Sequence, residues 1–192
     1  MHEDPWLERW IVRTVASCGA APVLELGCGS GADTAVLAGA GLEVIALELD
    51  AKAADRARQA APSATVLSRD IRDPWPVARD GYGAVVASLS LHYFPWADTM
   101  ALVARIREAL RPGGLLLCRL NSTEDYHYGA SGHPKIEDDY YLVEGEPKRF
   151  FDAVAVDRLF ATGWRAISKE HYVTAKYANP KALWEIVLER DA

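Results

Sequence analysis

A glycine-rich loop is the first feature of the sequence with clear chemical potential. It reads Gly27-Cys28-Gly29-Ser30-Gly31 and lies between an apolar stretch at residues 22–26 and a helical pattern that begins near residue 32. Its glycines allow a tight turn and a close backbone approach to a ligand. The following helix offers free N–H groups and the positive end of its dipole, which suit a phosphate or an amino-acid carboxylate. With Ala32 the loop also satisfies a dinucleotide pattern, and a plain strand-to-helix turn is equally consistent with it.

Three carboxylates extend this interpretation. Glu25 lies two residues before Gly27, where it can meet the ammonium group of an amino acid. Glu48 ends the second apolar stretch, 21 positions after Gly27 (48 − 27), where a carboxylate can accept both ribose hydroxyls. Asp70 follows the third stretch and can accept from an adenine amino group, with Ile71 as an apolar contact. Each acid alone could be a cap or a solvated side chain, but their placement at successive strand ends favours a nucleoside site.

Hydrophobic periodicity indicates the elements that position these residues. Strands are predicted at residues 22–26, 42–47, 64–67, 83–88, 115–120, 164–174 and 183–189, and helices at 4–18, 32–40, 50–60, 96–111 and 152–161. Alternating strands and helices imply an α/β fold with a parallel sheet and right-handed crossovers. The last two strands suggest an antiparallel hairpin at the sheet edge. Ligands of open α/β sheets bind at the carboxyl ends of the strands, so the loop and the acids share one edge.

Composition narrows the class of protein. The chain has 192 residues, 50% of them hydrophobic, and a formal net charge of −6. We expect a single domain over residues 1–192, with an N-terminal helix in residues 1–20. The acidic balance argues against a nucleic-acid partner. Neither a signal peptide nor a span of about 20 apolar residues is present, so no membrane association and a cytoplasmic location are expected. The three cysteines show no disulfide or metal spacing, so no metal is expected.

Several residues near this edge of the sheet are candidates for contacting a substrate. His92 follows the fourth strand and is the best general-base candidate, although a packed structural histidine fits equally well. Tyr93 can form a pocket wall or fill the core. Trp6 and Trp10 lie one helical turn apart and can form an apolar lid or pack in the core.

Residues 121–149 have no clear period and are rich in tyrosine, histidine and acids. Long segments of this kind are often lids or binding loops. We therefore predict a substrate-cover insertion, with a solvated surface insertion as the alternative. The candidate contacts in it are Asn121, Tyr126, His127, His133, Tyr140 and Tyr141.

Three motifs together resemble a known family. Residues 23–31, Val-Leu-Glu-Leu-Gly-Cys-Gly-Ser-Gly, look like the first motif of class I S-adenosylmethionine (SAM)-dependent methyltransferases. Residues 44–50, Val-Ile-Ala-Leu-Glu-Leu-Asp, resemble their acidic second motif, and residues 110–116, Leu-Arg-Pro-Gly-Gly-Leu-Leu, resemble the entry to their fifth strand. The matches span about half the chain, in the order and spacing of the family.

The resemblance implies a three-layer Rossmann-like sheet of seven strands, order 3-2-1-4-5-7-6, with strand 7 antiparallel. It implies SAM as the cofactor, with S-adenosylhomocysteine (SAH) as the product. The residues it assigns to the cofactor are Glu25, Gly27, Cys28, Gly29, Gly31, Glu48, Leu49, Asp70, Ile71 and Ser88.

The family methylates many acceptors, and the fourth-strand exit narrows the choice for this chain. It lacks the Asn-Pro-Pro-aromatic sequence of amino-methylating enzymes and the Pro-Cys pair of cytosine C5 methylation. In-line methyl transfer to a small molecule is therefore the predicted function, and the oligomeric state is left open. The alternatives are a non-catalytic SAM-binding or regulatory module and, less favoured, an NAD-dependent oxidoreductase.

Overall fold

Apolar runs without polar alternation form the central strands, because helices cover both faces of the sheet. The computed structural model describes residues 5–192. Strand bounds are β1 Val23–Leu26, β2 Val44–Glu48, β3 Thr65–Ser68, β4 Tyr82–Ser88, β5 Leu110–Asn121, β6 Lys135–Glu137, β7 Tyr140–Val143, β8 Glu146–Arg149, β9 Trp164–Thr174 and β10 Lys181–Arg190. Helix bounds are α1 Ile11–Cys18, α2 Ala32–Gly39, α3 Ala51–Ala60, α4 Trp96–Ala109 and α5 Ala153–Leu159.

The main sheet has seven strands in the order β3-β2-β1-β4-β5-β10-β9. The pairs from β3 to β5 are parallel, whereas β10 runs antiparallel to both β5 and β9. Because β9 and β10 are the sixth and seventh strands of this sheet along the chain, the predicted order and the antiparallel seventh strand are confirmed. Side chains of α1, α2 and α3 pack on one face of the sheet and those of α4 and α5 on the other.

The largest differences from the predicted element bounds lie at two places. The helix predicted through residue 111 ends at Ala109, and β5 begins at once with Leu110, which pairs with Tyr82 before a bulge. The proline and glycines at 112–114 therefore lie within the irregular start of a strand, where a bulge tolerates them. At the N-terminus a 3₁₀ turn, Glu8–Trp10, precedes α1, and the Asp4 cap predicted for this helix lies outside the described residues.

The predicted insertion contains a sheet of its own. Strands β6, β7 and β8 form a three-stranded antiparallel sheet with a small core that includes Val143 and Phe150. Arg149 anchors it: its Nε donates to the Phe94 carbonyl at 3.2 Å and its Nη2 bonds Glu137. The contact with Phe94, together with the Tyr140 hydroxyl that donates to the Tyr93 carbonyl, fixes the insertion against the exit of β4. Within residues 5–192, no helix combines the length and apolar character that crossing a bilayer requires.

Candidate active site

The carboxyl ends of the parallel strands open into a cavity of about 1010 Å³. The glycine loop forms part of its floor, together with the ends of β1, β2, β3 and β4, while the insertion sheet and the β9–β10 connection contribute further walls. Nine of the predicted cofactor residues line it: Glu25, Gly27, Cys28, Gly29, Glu48, Leu49, Asp70, Ile71 and Ser88. The side chains predicted to share one sheet edge are therefore brought together.

Backbone conformation explains why the loop is glycine-rich. Gly27, Gly29 and Gly31 all have positive φ, at 75°, 56° and 88°. A Cβ at Gly29 would meet nothing within 4 Å, because the space above this residue belongs to the cavity. Gly31 is different: it does not line the cavity, and a Cβ there would lie 2.7 Å from the Ala57 Cα. Its role in the structure is the close packing of α2 on α3.

Glu25 is a buried acid at the cavity floor. It is 2% exposed, and its Oε2 accepts a hydrogen bond from the Thr34 hydroxyl at 2.6 Å. Burial raises the pKa of the Glu25 carboxyl to about 8, against the lowering effect of the Thr34 bond. Such a group is mostly neutral at pH 7 and becomes a stable carboxylate when a cation binds beside it.

Glu48 and Asp70 occupy the next two strand ends. Glu48 accepts from the backbone N–H of Gly29 at 2.8 Å and from that of Asp50 at 2.9 Å, so it ties the glycine loop to the end of β2. Asp70 is paired with Arg72 at 2.6 Å, and this hydrogen-bonded guanidinium lowers the pKa of the Asp70 carboxyl. Both acids remain in the cavity wall, where their oxygens can accept from hydroxyl or amino groups.

The predicted acceptor-side residues divide between the cavity and other places. Tyr93 and Tyr140 line the cavity, and the Tyr140 hydroxyl donates to the Tyr93 carbonyl at 2.9 Å. Trp6 is buried behind the wall, where its Nε1 donates to Asp33 at 3.1 Å. Trp10 lies on the sheet face instead, with its Nε1 bonded to Glu185 at 2.9 Å.

His92 does not line the cavity. It lies in the 3₁₀ turn Leu91–Tyr93 and is 5% exposed, and its Nδ1 has no hydrogen-bond partner within the described part of the chain. Burial lowers the pKa of His92 to about 3, and the charges of Lys181 and Lys148 add to this effect. A buried neutral imidazole with so low a pKa is a poor general base, so the packed-histidine alternative fits the structure better.

The start of the insertion turns away from the cavity. Asn121, at the end of β5, is 2% exposed and outside the lining, and its Oδ1 has no partner among residues 5–192. Tyr126 and His127 lie on a short exposed turn, because Asp125 before them is drawn inward to Lys181 at 2.6 Å. Of the predicted contacts in the insertion, Tyr140 alone is part of the lining.

Several lining residues were not predicted from the sequence. Arg119 is 4% exposed and donates from Nε and Nη2 to the Ser88 hydroxyl at 2.9 and 2.8 Å. The sequence carried a usable signal for Arg119, because it is the single arginine within the apolar run of β5. Lys176 and Tyr177, from the β9–β10 connection, had no such signal, because only the tertiary fold carries that connection to the cavity.

The sheet order, the glycine loop and the acids at successive strand ends define a Rossmann-like methyltransferase fold. Residues 23–114 match a family model described as a methyltransferase domain. The chain therefore has the fold of the class I SAM-dependent methyltransferases, and its residues 23–114 are similar to a methyltransferase domain.

Individual relatives show a similar, partial match. Trans-aconitate 2-methyltransferase of Deinococcus radiodurans is 32% identical over 109 residues, which cover 55% of this chain and 40% of that protein. The chain spans between 40% and 63% of the length of the curated relatives it matches.

Solved structures share the fold at lower identity. A SAM-dependent methyltransferase of Methanosarcina mazei superposes with a TM-score of 0.80 at 15% identity, covering 100% of this chain and 99% of that one. The 1,6-didemethyltoxoflavin-N1-methyltransferase of Burkholderia thailandensis, solved with 1,6-didemethyltoxoflavin and SAH, superposes with a TM-score of 0.70 at 19% identity, covering 97% and 78%.

Proposed function

We propose that this chain transfers the methyl group of SAM to a small-molecule acceptor by in-line displacement. The observation that carries the proposal is one continuous cavity lined by the glycine loop and by the acids that end β1, β2 and β3. Support for a small acceptor comes from the side chains that the insertion adds to the cavity wall, Tyr140 and Pro147. The Burkholderia neighbour, which binds a small heterocycle at the same fold, adds support by analogy.

The residues present fit the chemical parts of SAM. The buried Glu25 carboxyl suits an ammonium group, since a neighbouring cation offsets the desolvation of the carboxylate. The open space above Gly29 allows a ligand to approach the backbone closely. Glu48 can accept from ribose hydroxyls, and Asp70 with Ile71 offers a polar and an apolar contact to adenine.

When bound, SAM supplies an electrophilic methyl group on a sulfonium, which is a good leaving group. The chain itself then has three tasks: to hold the cofactor, to orient the acceptor behind the methyl carbon, and to exclude water. The glycine loop and the acids perform the first. Tyr93, Phe94 and Tyr140, which wall the other end, are placed for the second and third. No step in this scheme requires His92.

Binding and turnover test the proposal separately. Calorimetry is expected to give micromolar affinity for SAH and no binding of NADH, and the reverse result would contradict the methyltransferase assignment. SAH release from SAM in the presence of thiols, amines, phenols and carboxylates then measures transfer. SAH binding without any turnover over this panel would favour the non-catalytic module.

A further inference from the structure

The segment that follows β3 forms one part of the cavity wall. We call residues 69–75 the β3 turn, and its residues Asp70, Ile71 and Arg72 all line the cavity. Asp70 and Ile71 are proposed above to contact adenine, whereas Arg72 was not among the predicted cofactor residues. The conformation of this turn therefore bears on which base the cavity accepts.

Arg72 occupies most of the Asp70 carboxylate. Its backbone N–H donates to Oδ1 at 2.8 Å, its Nη2 donates to Oδ2 at 2.6 Å, and its Nε lies 3.1 and 3.2 Å from the two oxygens. An ionised carboxylate has about four lone-pair positions, so with three N–H groups bound about one position stays available to a ligand in the cavity. The planar guanidinium also fixes the orientation of the carboxylate.

Arg72 is itself held between two strand ends. Its Cζ lies 5.2 Å from the centre of the Phe94 ring, which belongs to the exit of β4 and also lines the cavity. A guanidinium over an aromatic face gains a cation–π attraction. The charges of Asp98 and Asp73 act on Arg72 too, but less than that of Asp70. Arg72 thus has a defined position, although its side chain is 56% exposed.

Arg105 of α4 binds the backbone of the same turn. Its Nη1 donates to the Arg72 carbonyl at 3.0 Å and its Nη2 to the Asp73 carbonyl at 2.6 Å. Its Cζ lies 3.8 Å from the centre of the Trp75 ring, and the Trp75 Nε1 donates to the Ile71 carbonyl at 2.7 Å. Three successive carbonyls of the β3 turn are therefore bound by side chains that belong to α4 or to the core.

The remaining acceptor position on Asp70 can distinguish an amino group from an oxo group. The hydrogen bonds from Arg72 lower the pKa of the Asp70 carboxyl, so at neutral pH this group accepts and does not donate. The amino group of adenine can donate an N–H to it. An oxo group in the same place, as in hypoxanthine, is itself an acceptor, so the hydrogen bond would be lost and two electron-rich oxygens would face each other.

We infer that Arg72 and Arg105 are positioning residues that preset the β3 turn to read the amino group of adenine through Asp70. This inference rests on the proposed function, because Asp70 is assigned to adenine only through the proposed binding of SAM. Arg72 orients the carboxylate, and Arg105 fixes the backbone that carries it. This part of the site is therefore ordered before the cofactor binds, which favours affinity.

Base discrimination is measured with two ligands that differ only in the purine. SAH and S-inosylhomocysteine, which carries hypoxanthine in place of adenine, are titrated into the natural chain by calorimetry. We expect the natural chain to bind SAH more tightly by about tenfold or more, as a hydrogen bond to a charged group predicts. Asp70→Asn, whose amide can donate to an oxo group, should reduce this ratio to below about threefold.

The arginine variants test the positioning role. Arg72→Met, which changes an exposed side chain, should weaken SAH binding by about fivefold or more and binding of the inosine analogue by less than about twofold. Arg105→Met should lower the ratio in the same direction.

Arg165→Met is the matched control. Arg165 pairs with Glu189 at 2.6 Å with side-chain exposures of 58% and 24%, close to the 2.6 Å, 56% and 21% of the pair between Arg72 and Asp70, but neither Arg165 nor Glu189 lines the cavity. It should change neither dissociation constant.

The contrary outcomes are distinct. Equal affinity of the natural chain for the two ligands overturns the inference. An unchanged ratio in an arginine variant, whether both affinities stay or both fall, contradicts the role assigned to that arginine, because a purely structural role would affect the two ligands alike. In all of these cases SAH binding by the natural chain leaves the proposed methyl transfer standing. A chain that binds no SAH would refute the proposed function itself.

Discussion

Cofactor binding should release a proton from Glu25. The ligand-free carboxyl is 2% exposed with a pKa of about 8, so about 0.9 of the molecules carry its proton at pH 7. An ammonium group placed beside it favours the ionised form and lowers that pKa. Binding at pH 7 therefore requires deprotonation of Glu25, and the proton appears in the buffer.

The magnitude follows from the linkage. When only the ionised form binds, the apparent dissociation constant is multiplied by one plus the ratio of protonated to ionised Glu25. For a pKa of about 8, the affinity for SAH should rise about 50-fold between pH 6 and pH 8, or about 2.3 kcal/mol. Thr34→Val removes the 2.6 Å hydrogen bond that favours the ionised form, so it should weaken binding further at pH 7.

Calorimetry in buffers of different ionisation enthalpy measures both quantities. The expected result at pH 7 is release of about 0.9 proton by the natural chain and a much smaller release by Glu25→Gln, which has no carboxyl at this position. The variant also corrects for titration of the ligand's own amino group. Equal proton release and equal pH dependence in the two proteins would refute the role assigned to Glu25.

Four other predictions concern the same region. Glu48→Ala should weaken SAH binding by about 1–3 kcal/mol by calorimetry, because two backbone N–H groups lose their acceptor along with the ribose, and an unchanged affinity would remove Glu48 from the site. Gly31→Ala should lower the free energy of unfolding in urea by about 1–3 kcal/mol, because of backbone strain at φ 88° and a 2.7 Å contact with Ala57. Gly41→Ala, with φ 82° and open space around its Cβ, should lower it less, and equal losses would show that the Ala57 contact is unimportant. The free energy of unfolding of the ligand-free protein should fall as the pH rises from 4.5 to about 8, because the native state holds the Glu25 proton that the unfolded chain has released. Glu25→Gln should flatten this part of the plot of unfolding free energy against pH, and an unaltered slope would count against the raised pKa of Glu25. His92→Gln should leave the pH–rate profile with the identified acceptor unmoved, while loss of one limb of the profile would restore His92 as a general base.

Local patterns predicted well which residues form the glycine-loop side of the cavity. Strand periodicity located β1 to β4. Because parallel strands all end at the same carboxyl edge of the sheet, Glu25, Glu48 and Asp70 could be placed together without coordinates. Gly31 shows the limit of this reasoning. Its positive φ belongs to the loop pattern, but its contact with Ala57 comes from the approach of α3.

The part of the cavity beyond the glycine loop and the acidic strand ends was predicted poorly for a physical reason. His92 and Tyr93 are neighbours in sequence, yet the turn that carries them buries the first and brings the second to the cavity. The start of the insertion turns outward because Asp125 pairs with the buried Lys181, 56 residues later. Neither outcome follows from the local hydrophobic periodicity of the sequence.

The glycine loop, the acidic strand ends and the strand–helix alternation thus determined the fold class and the glycine-loop side of the cavity from sequence alone, since each depends on spacing within a few residues or on the shared edge of a sheet. The tertiary structure alone decided which residues from distant segments complete the cavity wall. Arg119 comes from β5, Lys176 from the β9–β10 connection and Tyr140 from the insertion, and these segments meet only because β10 returns antiparallel between β5 and β9 while Arg149 fixes the insertion at the β4 exit. Packing over such sequence separations is set by the whole core, so no segment of the chain carries it by itself.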